Sequence, residues 1–148
     1  NIVFTGNIGP AQDFDTVINS TNLLKKKKIK FQWVIVGSGS EINKLKKKII
    51  DKKLINFFVF FNFLSVDKSN YLTKICDIAF ITLKKNSISS KTLPGKVQNY
   101  MVLGKPLLGI GSDEIKKIIM MSRSGYYAVN DKDLAKKILK LNNNKKKK

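Results

Sequence analysis

Short apolar runs alternate with amphipathic segments along nearly the whole chain, and this alternation constrains the fold more than any other feature. The apolar runs are rich in β-branched and aromatic residues, which is typical of strands that are buried on both faces. We predict six strands, at Ile2–Thr5, Phe31–Val36, Phe57–Phe61, Asp77–Leu83, Pro106–Ile110 and Tyr126–Val129. Strands separated by helices at this spacing predict βαβ units and a parallel sheet.

The segments between the strands are predicted to be helices, because their apolar residues recur at helical spacing. The predicted helices cover residues 14–24, 42–49, 68–75, 96–103, 113–121 and 131–141. The predicted fold class is therefore α/β, with a doubly wound, mostly parallel six-stranded Rossmann-like sheet in the order 3-2-1-4-5-6. We expect one domain over residues 1–141, followed by a disordered basic tail at Asn142–Lys148.

The residue types exclude several kinds of chemistry. The chain has one cysteine and no histidine, so zinc sites, Ser-His-Asp triads and imidazole bases lack their parts. Cys76 lies in an apolar run and is predicted to be a buried hydrophobic residue. The ten acidic residues are scattered, and no close pair indicates glycoside hydrolysis. We expect no metal site and no cofactor.

The formal net charge is +19, yet only Arg123 among the 29 basic residues is an arginine. Nucleic-acid sites favour the bidentate guanidinium group, so we expect no specific nucleic-acid partner. The lysine runs predict a solvated basic surface, and peripheral contact with an anionic membrane is the alternative. No apolar run is long enough for a membrane helix. We therefore expect a cytoplasmic protein, with the inner face of the membrane as the alternative location.

Three glycine-containing loops are predicted at the carboxyl edge of the sheet, where ligands of such folds bind. They are Gly6–Gly9, Gly37–Gly39 and Leu93–Gly95. The third loop leads into a helix with Lys96 at its start, an arrangement that suits phosphate groups. Neither G-x-G-x-x-G after the first strand nor an acidic residue after Val36 is present, which counts against NAD. The alternative is that these glycines only turn strands into helices.

Four segments in this order resemble one enzyme family: FTGNIGPAQDFDTVI, WVIVGSGSEINKL, CDIAFITLK and LPGKVQNYMVLGKPLLG. Together they resemble the C-terminal, donor-binding half of a family 4 glycosyltransferase with the GT-B fold. The likeness runs from about Ile2 to Ile138, and its most specific part is the last segment. That segment is similar to bacterial fucosaminyltransferase-like enzymes of surface polysaccharide assembly.

The resemblance implies a nucleotide-sugar-binding domain over residues 1–141 and a UDP-sugar as the donor. It also implies retaining, metal-independent transfer in O-antigen or capsule synthesis, with the acceptor held by an N-terminal domain. The chain begins without a methionine and at once in a strand, so we expect a fragment of a larger enzyme. The resemblance identifies no catalytic residue. The alternatives are one half of a GT-B-fold UDP-sugar epimerase and a basic nucleic-acid-binding α/β module.

The resemblance further implies a donor site built from the three loops and the helix that follows the third. The implied site residues are Gly6, Asn7, Gly9, Gln12, Gly37, Gly39, Leu93, Pro94, Gly95, Lys96 and Asn99. Lys96 would be the chief cation facing the diphosphate, and a solvated surface lysine is the alternative for it. The uracil is expected against Gly37–Gly39 and the chain after the third strand, around Asn62, Phe63 and Leu64; a core role is the alternative for Phe63.

Three positions depart from the pattern of the family. Gln12 stands where many relatives have a phosphate-binding lysine, and Asn99 stands where many have a glutamate that binds the ribose hydroxyls. Lys91 occupies the position of a second acidic residue, so the paired-carboxylate motif is absent. Asn99 is still able to accept a hydrogen bond, although a neutral amide accepts more weakly than a carboxylate.

Overall fold

A computed structural model describes residues 1–27 and 29–145, without the side chains of 89, 90, 144 and 145. Its six strands form one sheet in the order β3-β2-β1-β4-β5-β6, in which every neighbouring pair is parallel. The strands are β1 (Ile2–Thr5), β2 (Trp33–Val36), β3 (Phe58–Phe61), β4 (Ile78–Leu83), β5 (Leu107–Gly111) and β6 (Gly125–Ala128). The predicted α/β class and the predicted strand order are both confirmed.

A helix follows each strand. The helices are α1 (Phe14–Lys25), α2 (Ile42–Asp51), α3 (Val66–Ile75), α4 (Lys96–Val102), α5 (Asp113–Ser122) and α6 (Asp131–Lys145). Short 3-10 turns lie at Ile55–Phe57 and Ile88–Lys91. In the part of the chain described by the structure, we find no helix with the length and apolarity that a membrane crossing needs.

The helix boundaries lie within two residues of those predicted, except at the end of α6. α3 begins at Val66 rather than Lys68, because the Ser65 hydroxyl accepts a hydrogen bond from the Lys68 N–H and caps the helix. α6 continues through Lys145, so the predicted disordered tail is wrong for residues 142–145. Leu141, at the predicted end of the helix, packs against the core. Residues 146–148 of that tail lie outside the described residues.

The core has two layers because alternate residues of each strand face opposite sides of the sheet. Ile2 and Phe4 of β1 pack in a cluster with residues of α1, α2 and α6. Val3 packs in the opposite cluster with residues of α4 and α5. Cys76 is 4% exposed in this second cluster, which confirms its predicted burial, and burial raises the pKa of its thiol.

The centre of the sheet opens at its carboxyl edge. β1 pairs with β2 along its whole length, as far as Thr5 and Val36. Its pairing with β4 ends at Val3 and Ala79, whereas β4 continues to pair with β5 as far as Leu83. β1 and β4 are the two central strands from which the chain winds in opposite directions. Their separation leaves a gap at the position where such folds bind ligands.

Candidate functional site

A cleft of about 450 Å³ lies at the carboxyl ends of β1 and β2, between them and the helices α3 and α4. Its lining residues are Thr5, Gly6, Asn7, Val36, Gly37, Ser38, Phe63, Leu64, Val66, Ser69, Asn70 and Asn99. Four of the site residues expected from the sequence are among them, namely Gly6, Asn7, Gly37 and Asn99. The lining residues are all uncharged, so this surface offers amides, hydroxyls and backbone groups to a ligand.

The first two loops touch each other backbone to backbone. A Cβ atom on Gly37 would lie 2.0 Å from the Gly6 carbonyl oxygen, and one on Gly39 would lie 2.2 Å from the Ile8 oxygen. Gly37 also has φ +138°, a conformation that side-chain-bearing residues rarely adopt. The Ile8 N–H donates to the Ser38 oxygen across the same contact, at 2.9 Å. The fold itself therefore requires the glycines of the second loop.

Gly9 and Gln12 lie on the other side of the first loop, outside the lining of the cleft. Together they line a separate, smaller pocket. The Gly9 N–H donates to Gln12 Oε1 at 3.0 Å, and the Gln12 N–H donates to the Gly9 oxygen at 3.2 Å. Gln12 therefore stabilises the first loop, at the position where the resemblance implies a phosphate-binding lysine.

Lys96 extends from α4 into the gap between β1 and β4, beside Gly6, although it is not one of the residues that line the cleft. Its Nζ lies 3.8 Å from the centroid of the Phe4 ring, although Phe4 packs in the cluster on the opposite face from α4. A Cβ atom on Gly6 would lie 2.8 Å from the same Nζ. Burial lowers the pKa of Lys96 to about 8, and no charged side chain of the described residues contributes to the shift. Lys96 is half-buried rather than a fully solvated surface lysine, and its role toward a diphosphate stays a prediction.

Tyr100 fastens α4 to the end of β1. Its hydroxyl oxygen accepts a hydrogen bond from the Thr5 N–H at 2.8 Å and lies 2.9 Å from Thr5 Oγ1. The side chain is fully buried, and burial raises the pKa of its phenol to about 12. The hydroxyl is therefore protonated at neutral pH. It holds the residue immediately before Gly6.

Asn99 faces the cleft from α4, paired with a residue of α3. Its Nδ2 donates to Asn70 Oδ1 at 2.9 Å. This bond uses one side of the Asn99 amide and leaves its Oδ1 as the acceptor that a ligand hydroxyl would meet. Asn70 was not predicted from the sequence, because its place beside Asn99 depends on how α3 packs next to α4.

The third loop enters α4 outside the lining of the cleft. Leu93 packs against the second core cluster, and the Pro94 oxygen accepts the Val97 N–H at 2.9 Å. Gly95 has a helical φ of −55°, and a Cβ atom on it would have no neighbour within 4 Å among the described atoms. Neither backbone conformation nor packing within the described chain therefore requires a glycine at position 95.

Several lining residues of the cleft lay outside the sequence prediction. They are Thr5, Val36, Val66, Ser69 and Asn70. A sequence signal for the residues of α3 was present: Ser65 followed by Asp67 is typical of a helix start. A helix that starts there places Ser69 and Asn70 near the edge of the sheet. Phe63 is 86% exposed at this cleft, so the core role considered for it is wrong.

The chain resembles known glycosyltransferases in sequence and in fold. The "probable glycosyltransferase WbjE" of Pseudomonas aeruginosa is 26% identical over 118 residues, which span 78% of this chain and 28% of that protein. The crystal structure of Anabaena Alr3699/HepE in complex with UDP matches with a TM-score of 0.78 and 16% identity, over 99% of this chain and 40% of HepE.

The catalytic domain of the cholesterol-alpha-glucosyltransferase from Helicobacter pylori matches with a TM-score of 0.74 and 19% identity, over 99% of this chain and 87% of that chain. At these identities the structural matches show the fold, which is that of a GT-B half. This chain spans less than half the length of WbjE and of HepE. The family model "Glycosyl transferases group 1" matches residues 1–148, and the chain belongs to that family.

Proposed function

We propose that this chain binds the nucleotide of a UDP-sugar in the cleft and forms the donor half of a retaining, metal-independent glycosyltransferase. The reaction would serve bacterial surface polysaccharide synthesis, such as that of O-antigen or capsule. The observation that carries the proposal is the position of Lys96, which is half-buried and whose ammonium lies beside Gly6 where the cleft begins. A fixed cation beside a backbone loop suits a diphosphate.

The charge distribution around the first loop supports this role for Lys96. The loop from Gly6 to Gln12 carries no basic side chain of its own. Positive charge must therefore come from another element, and α4 supplies it. In transfer, the ammonium and the nearby backbone N–H groups would stabilise the negative charge that develops on the departing diphosphate. This is the sense in which we propose transfer without a metal ion.

The choice of UDP draws on a relative of the same fold. HepE carries UDP in its crystal structure. In the proposed arrangement the diphosphate lies near Gly6 and Lys96, the ribose lies near Asn99, and the uracil lies between Gly37 and Phe63. The surface-polysaccharide role draws on the resemblance described above and on the "lipopolysaccharide outer core galactosyltransferase WaaB", which matches with a TM-score of 0.77.

Isothermal titration of the chain with UDP and with NAD⁺ tests the nucleotide proposal. We expect UDP to bind and NAD⁺ not to bind. Lys96→Met is expected to weaken UDP binding by about 1–3 kcal/mol, the effect of losing a charge-assisted hydrogen bond. Lys116→Met removes the same charge from the exposed face of α5 and is expected to leave UDP affinity unchanged. Binding of NAD⁺ but not UDP would contradict the proposal.

The proposed retention of configuration and independence from metal ions are tested in a longer protein that contains this chain and an N-terminal acceptor-binding domain. With a UDP-sugar and an acceptor, NMR of the product is expected to show the anomeric configuration of the donor. The rate is expected to be insensitive to EDTA. An epimerase would instead release an epimer of the sugar without an acceptor, and a nucleic-acid-binding module would bind oligonucleotides with steep salt dependence.

Contact with an anionic membrane remains a prediction from the net charge of +19. Exposed residues of α2, among them Lys44, Lys47 and Ile50, offer one basic face with an apolar residue. Co-sedimentation with phosphatidylglycerol vesicles, against phosphatidylcholine vesicles as the control, measures this contact. Equal sedimentation with both would contradict an electrostatic attachment.

A further inference from the structure

The last N–H group of β1, that of Thr5, has no hydrogen-bond acceptor on the neighbouring strand β4. The Gly6 N–H donates to the Val36 oxygen of β2, so the preceding N–H, that of Thr5, points to the opposite side, toward β4. The pairing of β1 with β4 ends at Val3 and Ala79. The opening that makes room for a ligand therefore also leaves the Thr5 N–H without a backbone acceptor.

The Tyr100 hydroxyl accepts this hydrogen bond, where a backbone oxygen of a paired strand would otherwise do so. It accepts the Thr5 N–H at 2.8 Å and lies 2.9 Å from Thr5 Oγ1. Tyr100 is fully buried and lies one helical turn after Lys96, so both side chains leave α4 on the same face. One reaches Thr5 and the other reaches Phe4 and Gly6, which are the neighbours of Thr5 in the chain.

We propose that Tyr100 is a positioning residue whose hydroxyl bond to Thr5 holds α4 across the gap and so keeps the Lys96 ammonium beside Gly6. The identity of the ligand that benefits, a UDP-sugar, rests on the function proposed above. A phenylalanine at this position would fill nearly the same volume. The hydroxyl is therefore required for the link to β1 rather than for packing.

Tyr100→Phe tests the proposal, with Tyr127→Phe as the matched control. Tyr127 lies on β6, outside the lining of the cleft, and its hydroxyl donates to the Gly111 oxygen at 2.7 Å. Each variant loses one tyrosine hydrogen bond to the backbone. We expect Tyr100→Phe to lower UDP affinity about tenfold and Tyr127→Phe to leave it unchanged.

A second readout needs no ligand. NMR of the lysine side chains follows the titration of Lys96, whose signal is assigned by its absence from Lys96→Met. In the unaltered chain Lys96 is expected to titrate near pH 8, because it is buried. In Tyr100→Phe its midpoint is expected to move up toward the ordinary lysine value, because a loosened α4 lets water reach the ammonium. In Tyr127→Phe the titration midpoint of Lys96 is expected to stay unchanged.

These readouts separate the two proposals. If the unaltered chain does not bind UDP but the Lys96 midpoint moves in Tyr100→Phe, the function proposal fails and the positioning role stands. If the midpoint stays in Tyr100→Phe, Tyr100 is an ordinary core residue and the positioning proposal is overturned. Should Tyr100→Phe fail to fold, Thr5→Val removes only the side-chain part of the link, and the midpoint is expected to rise by a smaller amount.

Discussion

The Lys96 ammonium lies over the face of the Phe4 ring, with Nζ 3.8 Å from the ring centroid. An aromatic face attracts a cation but does not neutralise it. Burial lowers the pKa of Lys96 to about 8 from 10.5, which means that the folded chain disfavours the charged form. The structure therefore holds a desolvated cation at the start of the cleft, where an anion would compensate its charge.

The first prediction is that Lys96→Met stabilises the ligand-free chain at pH 7. The folded-state pKa lies below the unfolded value, so the penalty for the buried charge is fully present below about pH 8. Above that pH the unfolded chain binds more protons at this site, and stability rises until about pH 10.5. We expect a gain of about 1–3 kcal/mol at pH 7 in urea denaturation, vanishing at high pH.

The control for this prediction is Lys116→Met, because other lysines also titrate at high pH. Lys116 is exposed on α5, so its removal is expected to change the free energy of unfolding by less than about 0.5 kcal/mol at pH 7. The informative quantity is the difference between each variant and the unaltered chain. A Lys96→Met variant that is less stable at pH 7 would mean that the ammonium has a stabilising partner.

The second prediction compares two glycines. Gly37→Ala would place a Cβ atom 2.0 Å from the Gly6 oxygen, so we expect a loss of at least about 3 kcal/mol of stability. Gly95→Ala meets no described atom within 4 Å, and we expect stability to change by less than about 0.5 kcal/mol. Thermal denaturation measures both.

Gly95→Ala is nevertheless expected to weaken UDP binding about tenfold, because its methyl group would occupy space that the proposed diphosphate approaches. Titration with UDP measures this effect in a variant whose fold is unchanged. Unaltered UDP affinity in Gly95→Ala would show that the ligand does not come near the start of α4.

The fold was predictable because each strand is a nearly continuous apolar run and each helix has one apolar face. Trp33–Val36 and Ile78–Leu83, for example, are buried throughout, as interior strands of a parallel sheet must be. The strand order followed from the topology rules of doubly wound sheets. Helix ends such as Lys145 were harder, because the last turns depend on tertiary contacts.

The cleft was predictable only in part. Gly6, Asn7 and Gly37 follow strands directly, so the topology alone places them at the carboxyl edge. The path of Lys96 through the sheet depends on where β1 and β4 separate, and no local pattern encodes that point. The bond between Tyr100 and Thr5 joins residues 95 positions apart and has the same origin.

The third prediction concerns Phe63, which is 86% exposed at the cleft. Phe63→Ala is expected to weaken UDP binding by about 1–3 kcal/mol, the value of stacking an aromatic side chain on a base. Binding of inorganic pyrophosphate, which has no base, is expected to stay the same. Tyr71→Ala is the control, because Tyr71 is 64% exposed on α3 outside the cleft lining. Equal losses for UDP and pyrophosphate would contradict a role at the base.

The fourth prediction concerns Asn99, whose Nδ2 is held by Asn70 Oδ1 at 2.9 Å and whose Oδ1 is left to accept a ligand hydroxyl. Asn99→Leu is expected to weaken UDP binding by about 0.5–1.5 kcal/mol, the net value of one neutral hydrogen bond. Titration with 2′,3′-dideoxy-UDP provides the ligand control, since it lacks the ribose hydroxyls and is expected to bind both forms equally.

Gln98→Leu provides the protein control for the same experiment, because Gln98 is exposed on α4 and lies outside the cleft lining. It is expected to leave the affinity for both nucleotides unchanged. If Asn99→Leu weakens UDP and the dideoxy analogue to the same extent, the amide acts on the shape of the cleft rather than on the ribose. The neutral Asn70–Asn99 pair would then have no part in recognising the sugar-nucleotide hydroxyls, and the ribose would have to be held elsewhere in the cleft.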